Sequence, residues 1–325
     1  MAEKIRWGIL GCAAIAEKAF IPAIKKSKQA ELVAIASRHP ERARLWAGRF
    51  GLKKSYGSYE ELLSDGEIQA VYNPLPNHLH RPYSIQALRS GKHVLCEKPL
   101  ALNAAEVQEM FTEAERNNRV LMEGFMYRFH PQMTKTMELI HEGAIGQPLL
   151  VRSAFTFVFD RDRSNYRWSP EMGGGALYDV GCYTINAARL VFQSEPEEIR
   201  VLAHLDNPSG IDLTTSLLCA FPGCRQALLT CSFELEFQSI LEISGNEGHI
   251  FMSRAFSAKN FKTEVQLIRK NKINNFTFQP YDQFKLMIEH FNQAVLGQTN
   301  PLIDFNDSYG NALVIEKALK LIQQK

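Results

Sequence analysis

What the chain lacks narrows the field first. No apolar run approaches the ~18 residues that a membrane helix needs. The start, Met1-Ala-Glu-Lys-Ile-Arg-Trp-Gly8, has no basic region leading into a long apolar stretch and a small-residue cleavage site. The expectation is therefore a cytoplasmic protein without a membrane partner. The six cysteines (Cys12, Cys96, Cys182, Cys219, Cys224, Cys231) include no Cys-x-x-Cys pair, and the nine histidines include no His-Glu-x-x-His pattern. That favours reduced core thiols over disulfides, and no metal. The 37 basic residues against 35 acidic ones give a net charge of +2 and gather into no basic block, so nothing points to nucleic acid. Repeats and compositional bias are absent as well. What remains is an ordinary folded chain of 325 residues, 45% hydrophobic and 22% charged, longer than the ~100–200 residues typical of one domain. Two domains are expected.

The first half alternates. An apolar strand, Ile5–Leu10, turns through Gly11-Cys12-Ala13-Ala14-Ile15-Ala16 into a helical stretch that reaches Lys25. This approximates the dinucleotide fingerprint Gly-x-Gly-x-x-Gly/Ala, in which glycines let the backbone approach a pyrophosphate at a helix N-terminus. Gly11 and Ala16 fill the outer positions, but Ala13 replaces the middle glycine, and an ordinary βα turn is the competing reading. A second strand, 31–36, ends in Ser37-Arg38-His39-Pro40-Glu41-Arg42. Enzymes that use NAD place Asp or Glu here, ~20 residues beyond the glycines, on the ribose hydroxyls. A hydroxyl with Arg38 and Arg42 suits a 2′-phosphate instead, so the predicted cofactor is NADP, with NAD as the alternative. Two solvated arginines opening a surface helix are the plainer reading.

Strand 70–73 is followed by Pro74-Leu75-Pro-Asn77-His78-Leu-His80, a stiff turn, and then a helix. Asn77, His78 and His80 fall at a strand's carboxyl end, as ligands or as capping and packing groups. Next comes His93-Val-Leu-Cys-Glu97-Lys98-Pro99-Leu100, a short buried strand that delivers Glu97 and Lys98 to its carboxyl end, where ligands of open α/β sheets sit. The alternatives for Lys98 are a catalytic group and a surface ion pair with Glu97. A helix from about 103 to 117 and a strand over 119–122 complete a parallel, helix-covered sheet. Residues 1–123 read as a Rossmann dinucleotide-binding domain.

Residues 124–325 read as an α+β domain for substrate binding and oligomerisation. After Glu123-Gly-Phe-Met-Tyr-Arg128-Phe-His-Pro131 come a helix, a strand from Pro148, and a polar loop with Asn165-Tyr166-Arg167-Trp168. Then Gly173-Gly-Gly-Ala-Leu-Tyr-Asp179-Val-Gly-Cys-Tyr183 leads into a helix on which Asp179 and Tyr183 share a face. A carboxylate and a phenol behind a glycine run suit proton transfer and hydroxyl recognition; a buried tyrosine bonded within its own helix is the structural alternative. From 198 to 279, apolar alternation broken by turn signals predicts a large, mostly antiparallel open sheet. Its second face needs cover, which makes a homodimer or homotetramer the expectation. Two amphipathic helices, about 282–296 and 307–323, end the chain.

In order and spacing, these motifs resemble the Gfo/Idh/MocA oxidoreductases. The likeness spans nearly the whole chain through the Gly11 turn, Pro74–His80, Glu97-Lys98-Pro99, 123–131 and Gly173–Tyr183. It implies that Lys98 and Tyr183 are the catalytic pair with Asp179 in the substrate pocket. It also implies cofactor contacts from Gly11, Cys12, Ala13, Ala14, Ile15, Ser37, Arg38, Arg42, Pro74, Leu75, Asn77, His80, Glu97, Lys98, Arg167 and Trp168. Arg128, Asn165 and Tyr166 are the further candidate substrate contacts. Many members carry histidine at the position of Tyr183, and the tyrosine points to the glucose-fructose oxidoreductase, xylose dehydrogenase and dihydrodiol dehydrogenase branch. The implied reaction is hydride transfer between nicotinamide and a carbinol carbon of a sugar, inositol or cyclic diol. A tyrosine titrates ordinarily at about 10, so Lys98 is expected to favour its phenolate. Alternatives are the reverse reduction of a keto- or anhydro-sugar, and a non-catalytic dinucleotide-binding sensor or co-regulator.

Overall fold

The computed structural model describes residues 4–160 and 162–324. They form two compact units, one running up to Met126 and including Phe284–Tyr309, the other comprising Tyr127–Gln283 and the chain from Gly310 on.

The first unit is built on a six-stranded, all-parallel sheet. Its strands are β1 (Ile5–Leu10), β2 (Ala30–Ala36), β3 (Lys54–Tyr56), β4 (Ala70–Asn73), β5 (His93–Cys96) and β6 (Leu121–Glu123), in the spatial order β3-β2-β1-β4-β5-β6. That order reverses between β1 and β4, the switch point at which doubly wound sheets bind dinucleotides. Runs such as Val94-Leu-Cys96 are buried throughout because helices cover both faces. Ser58 and Asn103 cap the helices that follow them by accepting from the N–H groups of Glu61 and Glu106, at 3.1 and 2.9 Å.

Three features depart from the sequence reading. The edge strand β3 is only three half-buried residues, too short to carry a period. The segment after the glycine turn is a π-helix over Ala16–Phe20 before it becomes an α-helix, Ile21–Ile24. And residues 284–309, expected within the second domain, group with the first unit. Phe291 packs its ring 5.1 Å from that of Trp7 on β1, and Asn292 Oδ1 accepts from the Trp7 indole N–H at 3.1 Å.

The second unit carries an eight-stranded sheet of β7 (Pro148–Thr156), β8 (Glu198–Leu205), β9 (Asp212–Phe221), β10 (Arg225–Ser232), β11 (Gln238–Gly245), β12 (His249–Met252), β13 (Thr263–Arg269) and β14 (Lys272–Phe278). The order is β14-β13-β12-β11-β7-β10-β9-β8, antiparallel except where β10 runs parallel to β7. Alternation sets the faces: Leu217, Cys219 and Phe221 of β9 point to the covered side, and Ser216 and Leu218 to the other. The helix Cys182–Phe192 lies on the covered side against β7, β10 and β11, and is buried nearly throughout. On the opposite face Leu202, Leu218 and Leu228 are 71%, 43% and 43% exposed.

Candidate active site

In the first unit, four strand ends carry the candidate residues. Gly11 leaves β1 with its N–H bonded to the Ala36 carbonyl at 2.8 Å and with φ +92, and a Cβ there would lie 2.7 Å from Leu75 Cδ2. Only glycine relieves both constraints. Ala14 and Ile15 are exposed beyond it, Ala13 is half-buried, and the Ala13 carbonyl accepts from the Glu17 N–H at 3.2 Å. At the end of β2, Ser37 is buried and its hydroxyl accepts from the His39 N–H at 3.1 Å, while Arg38 and Arg42 are exposed. Arg42 Nη2 reaches back to the Cys12 carbonyl at 2.9 Å, which ties the β2 end to the glycine turn. Burial pushes the Cys12 thiol up, against the opposing pull of Arg42 and Ser37. Arg38 likewise opposes the burial that raises the Tyr59 phenol.

The turns after β4 and β5 are locked to each other. Asn73 donates to the His80 carbonyl and to Ser84 Oγ at 3.2 and 3.0 Å and accepts from the Leu75 N–H at 3.3 Å, pinning the 74–80 turn in which Asn77 is buried. The His80 ring, fully buried, sets Nδ1 2.8 Å from the Pro99 carbonyl and Nε2 2.7 Å from the Leu75 carbonyl. Burial holds that ring down at about 4, although both carbonyls favour its protonated form. Glu97 Oε1 accepts from the buried Tyr72 hydroxyl at 2.6 Å, and Glu123 Oε1 accepts from the Leu100 N–H at 2.9 Å. Lys98, followed by a cis peptide bond to Pro99, thus projects half-buried from a turn fixed on both sides. Tyr72 and Glu123 are structural partners that the sequence did not announce.

In the second unit, Asp179 and Tyr183 straddle the junction between a π-helix, Leu177–Gly181, and the helix Cys182–Phe192. Single π turns of this kind recur at functional sites. Asp179 is 6% exposed and Tyr183 3%. The Asp179 carboxylate pairs with the Arg167 guanidinium at 2.9 Å. Arg167 comes from a 3₁₀ turn capped by Asn165, whose Oδ1 accepts from the Arg167 N–H at 3.1 Å, and it lies over the Tyr166 ring at 4.8 Å. Trp168 is buried within this loop, its indole donating to the Asp160 carbonyl at 3.1 Å. Around Tyr183 stand the rings of Tyr127, Phe155 and Phe256, at 5.8, 5.2 and 5.6 Å. Asn186 Oδ1 accepts from the Tyr127 hydroxyl at 2.6 Å and from Arg128 at 3.3 Å. This aromatic enclosure was not foreseen, because its members come from a 3₁₀ turn, a strand and a loop far apart in the chain.

Among the described residues no group of three or more His, Cys, Asp or Glu side chains could hold a metal ion, and no helix is long and apolar enough to cross a membrane. Residues 5–125 match the model of the Gfo/Idh/MocA oxidoreductase family, NAD-binding Rossmann fold, and residues 133–251 match the Gfo/Idh/MocA C-terminal domain. An uncharacterised oxidoreductase of Rhizobium meliloti is 40% identical over 319 residues, which covers 96% of this chain and 95% of that one. D-xylose 1-dehydrogenase (NADP(+)) 2 of Haloferax volcanii is 35% identical over 303 residues, 93% of this chain and 92% of that one. The crystal structure of KijD10, a 3-ketoreductase from Actinomadura kijaniata in complex with NADP and TDP-benzene, superposes with a TM-score of 0.91 at 32% identity, covering 98% of each chain. With a Rossmann unit whose strand ends carry the glycine turn and Lys98, and a second unit carrying Asp179 and Tyr183 on its buried helix, the chain belongs to the Gfo/Idh/MocA family of oxidoreductases.

Proposed function

We propose that the protein is an NADP-dependent oxidoreductase acting on a carbinol carbon of a sugar, inositol or cyclic diol. The observation that carries this is the setting of Tyr183: a phenol one helical turn from a carboxylate and walled by three aromatic rings. Aromatic walls suit the apolar C–H face of a hydroxylated ring, while Asp179 can accept from a hydroxyl on its edge. Tyr183 exchanges the proton of the reacting hydroxyl, and Lys98 is the cation that favours its phenolate and the developing oxygen charge. Arg167 pairs with Asp179 and fixes the direction in which its carboxylate points.

The residues fit a dinucleotide. Gly11 presents backbone without a Cβ, and the β2 end offers a hydroxyl and two arginines where a carboxylate would repel a 2′-phosphate. Bound NADP supplies or takes up the hydride. The xylose dehydrogenase is named for NADP(+) and the KijD10 structure is an NADP complex, which supports the same cofactor here. Reduction of a keto-sugar is the second reading, favoured by the ketoreductase likeness. We further assign the leucine-bearing open sheet face to contact with a second copy of the chain.

The test is purified protein with NADP⁺ or NADPH and a panel of sugars, inositols, diols and keto-sugars, followed by nicotinamide absorbance. Lys98→Ala is expected to lower kcat by about a hundredfold or more while NADPH binding stays intact. Near-normal turnover in that variant overturns the assignment.

A further inference from the structure

The helix that carries Asp179 and Tyr183 starts without a cap of its own. Gly173-Gly-Gly-Ala176 has no side-chain acceptor, yet the first N–H groups of a helix need one. The acceptor comes from another element. Asp212, the first residue of β9, is 3% exposed, and its Oδ2 accepts from the Leu177 N–H at 2.8 Å and from the Thr215 hydroxyl at 2.7 Å. Its Oδ1 occupies the space of a side chain at Gly175: a Cβ there would lie 2.1 Å away. Gly175 in turn accepts from the Asp179 N–H at 3.1 Å and donates to the Arg167 carbonyl at 3.0 Å, so the same turn locates both members of the Asp179–Arg167 pair.

Further along, the helix is held by shape. Gly181 lies so close to β10 that a Cβ would come within 2.9 Å of Cys231 Sγ, and Asn311 donates to the Cys182 carbonyl at 3.2 Å. The start has Asp212. A carboxylate buried without a cationic partner among the described residues is costly, which asks for a reason to keep it. The partial positive charge of the helix N-terminus is what it faces.

We propose that Asp212 is a positioning residue of the reaction: as a carboxylate it fixes the turn Gly175–Leu177 and so sets the placement of Asp179 and Tyr183. The proposal rests on the roles given to Asp179 and Tyr183 above. Both named partners of Asp212 donate, so the geometry fits the ionised form. Burial pushes its carboxyl up to about 7, against the hydrogen bonds from Thr215 and Leu177. The other titratable groups here are Cys231 of β10 and Asp179 and Cys182 of the helix, with Arg167 engaged by Asp179. The ionised form, and with it turnover, therefore gains as pH rises through about 7.

The test uses Asp212→Asn, which keeps the shape and removes the charge, beside Thr215→Val, which spares Asp212 and withdraws one donor. Hydrogen exchange followed by mass spectrometry on the peptide spanning 173–183 needs no substrate. Asp212→Asn is expected to speed exchange there about tenfold or more and to leave the β11 and β13 peptides unchanged. Unchanged exchange overturns the proposal. With whichever of D-xylose, D-glucose, myo-inositol and trans-cyclohexane-1,2-diol is oxidised by NADP⁺, kcat should fall about tenfold to a hundredfold in Asp212→Asn. The KM for NADP⁺ should be unaltered and the acid limb near pH 7 lost, whereas Thr215→Val should move that limb upward. A limb that persists in Asp212→Asn overturns the proposal too. Tyr183→Phe separates the two readings: in that background Asp212→Asn should cost less than in the unaltered chain, the remainder being what is lost through Asp179. Full activity of Tyr183→Phe would refute the tyrosine role while leaving the exchange result to judge Asp212. If Asp212→Asn does not fold, the Thr215→Val limb decides, and an unmoved limb counts against the proposal.

Discussion

Replacing Trp7 with Phe probes whether residues 284–309 are part of the first unit's core. The Trp7 indole is fully buried between the rings of Phe20 and Phe291, at 5.6 and 5.1 Å, and donates to Asn292 Oδ1. The Asn292 Nδ2 has no partner among the described residues, so the substitution leaves the whole amide unsatisfied. An orphaned buried polar group costs about 1–3 kcal/mol. The smaller ring adds about 1–2 kcal/mol of lost packing, a fraction of full truncation to alanine. Asn292→Ala strands the indole N–H instead, again at about 1–3 kcal/mol. The double variant strands neither group, so its destabilisation should fall short of the sum of the single ones by about 2 kcal/mol or more, the two stranding costs together. The chain has three tryptophans, and Trp46 lies in the same unit as Trp7, so in a Trp168→Phe background urea unfolding followed by fluorescence reports that unit alone. Additivity within about 0.5 kcal/mol would refute the coupling and with it the place of this segment in the core.

Cofactor choice is tested by Arg38→Asp, which should weaken NADP⁺ binding about tenfold or more and leave NAD⁺ nearly unaffected; an unchanged ratio of the two dissociation constants counts against the β2 end as a phosphate site. Burial lowers the imidazoles of His80, His93 and His130 to about 4, below the ordinary ~6.5, so the unfolded chain takes up protons as pH falls between those values. Their contribution to stability is complete above about 6.5 and is lost towards 4. Asp212, raised to about 7, works the other way across part of this range, and Asp65, held near 2, acts only below about 4. The melting temperature should therefore drop between pH 7 and pH 5, and a flat profile would contradict the three buried histidines. Leu218→Asp on the open sheet face should shift the particle mass measured by light scattering to that of one chain; an unshifted dimer would place the contact elsewhere.

How much of this was readable depends on the range of the interactions concerned. The sheet of the first unit could be read because Val94-Leu-Cys96 and Val71-Tyr-Asn73 are buried on both faces and stand in the sequence as short apolar runs between helical stretches. Lys98, Asp179 and Tyr183 could be picked out as candidate groups at strand and helix ends. The bonds that hold them could not. Tyr72 meets Glu97 across two neighbouring strands and Trp7 meets Asn292 across nearly the whole chain, separations of 25 and 285 residues that leave no trace in local periodicity. The π turns at 16–20 and 177–181 have the same residue types as α-helix and differ only in which carbonyl each N–H chooses. Asp212 looks like any acidic residue opening a strand, and its value lies in an N–H that belongs to Leu177.

The membership of Phe284–Tyr309 in the first unit also has a consequence for biosynthesis. A nascent chain has emerged past Met126 long before Phe291 and Asn292 exist, and at about 5–20 residues per second the intervening 127–283 take roughly 10–30 s to make. During that interval the underside of β1, with Trp7 and Phe20, lacks two of its native neighbours. The second unit's sheet, whose last strand ends at Phe278, is therefore complete in sequence before the core of the first unit is.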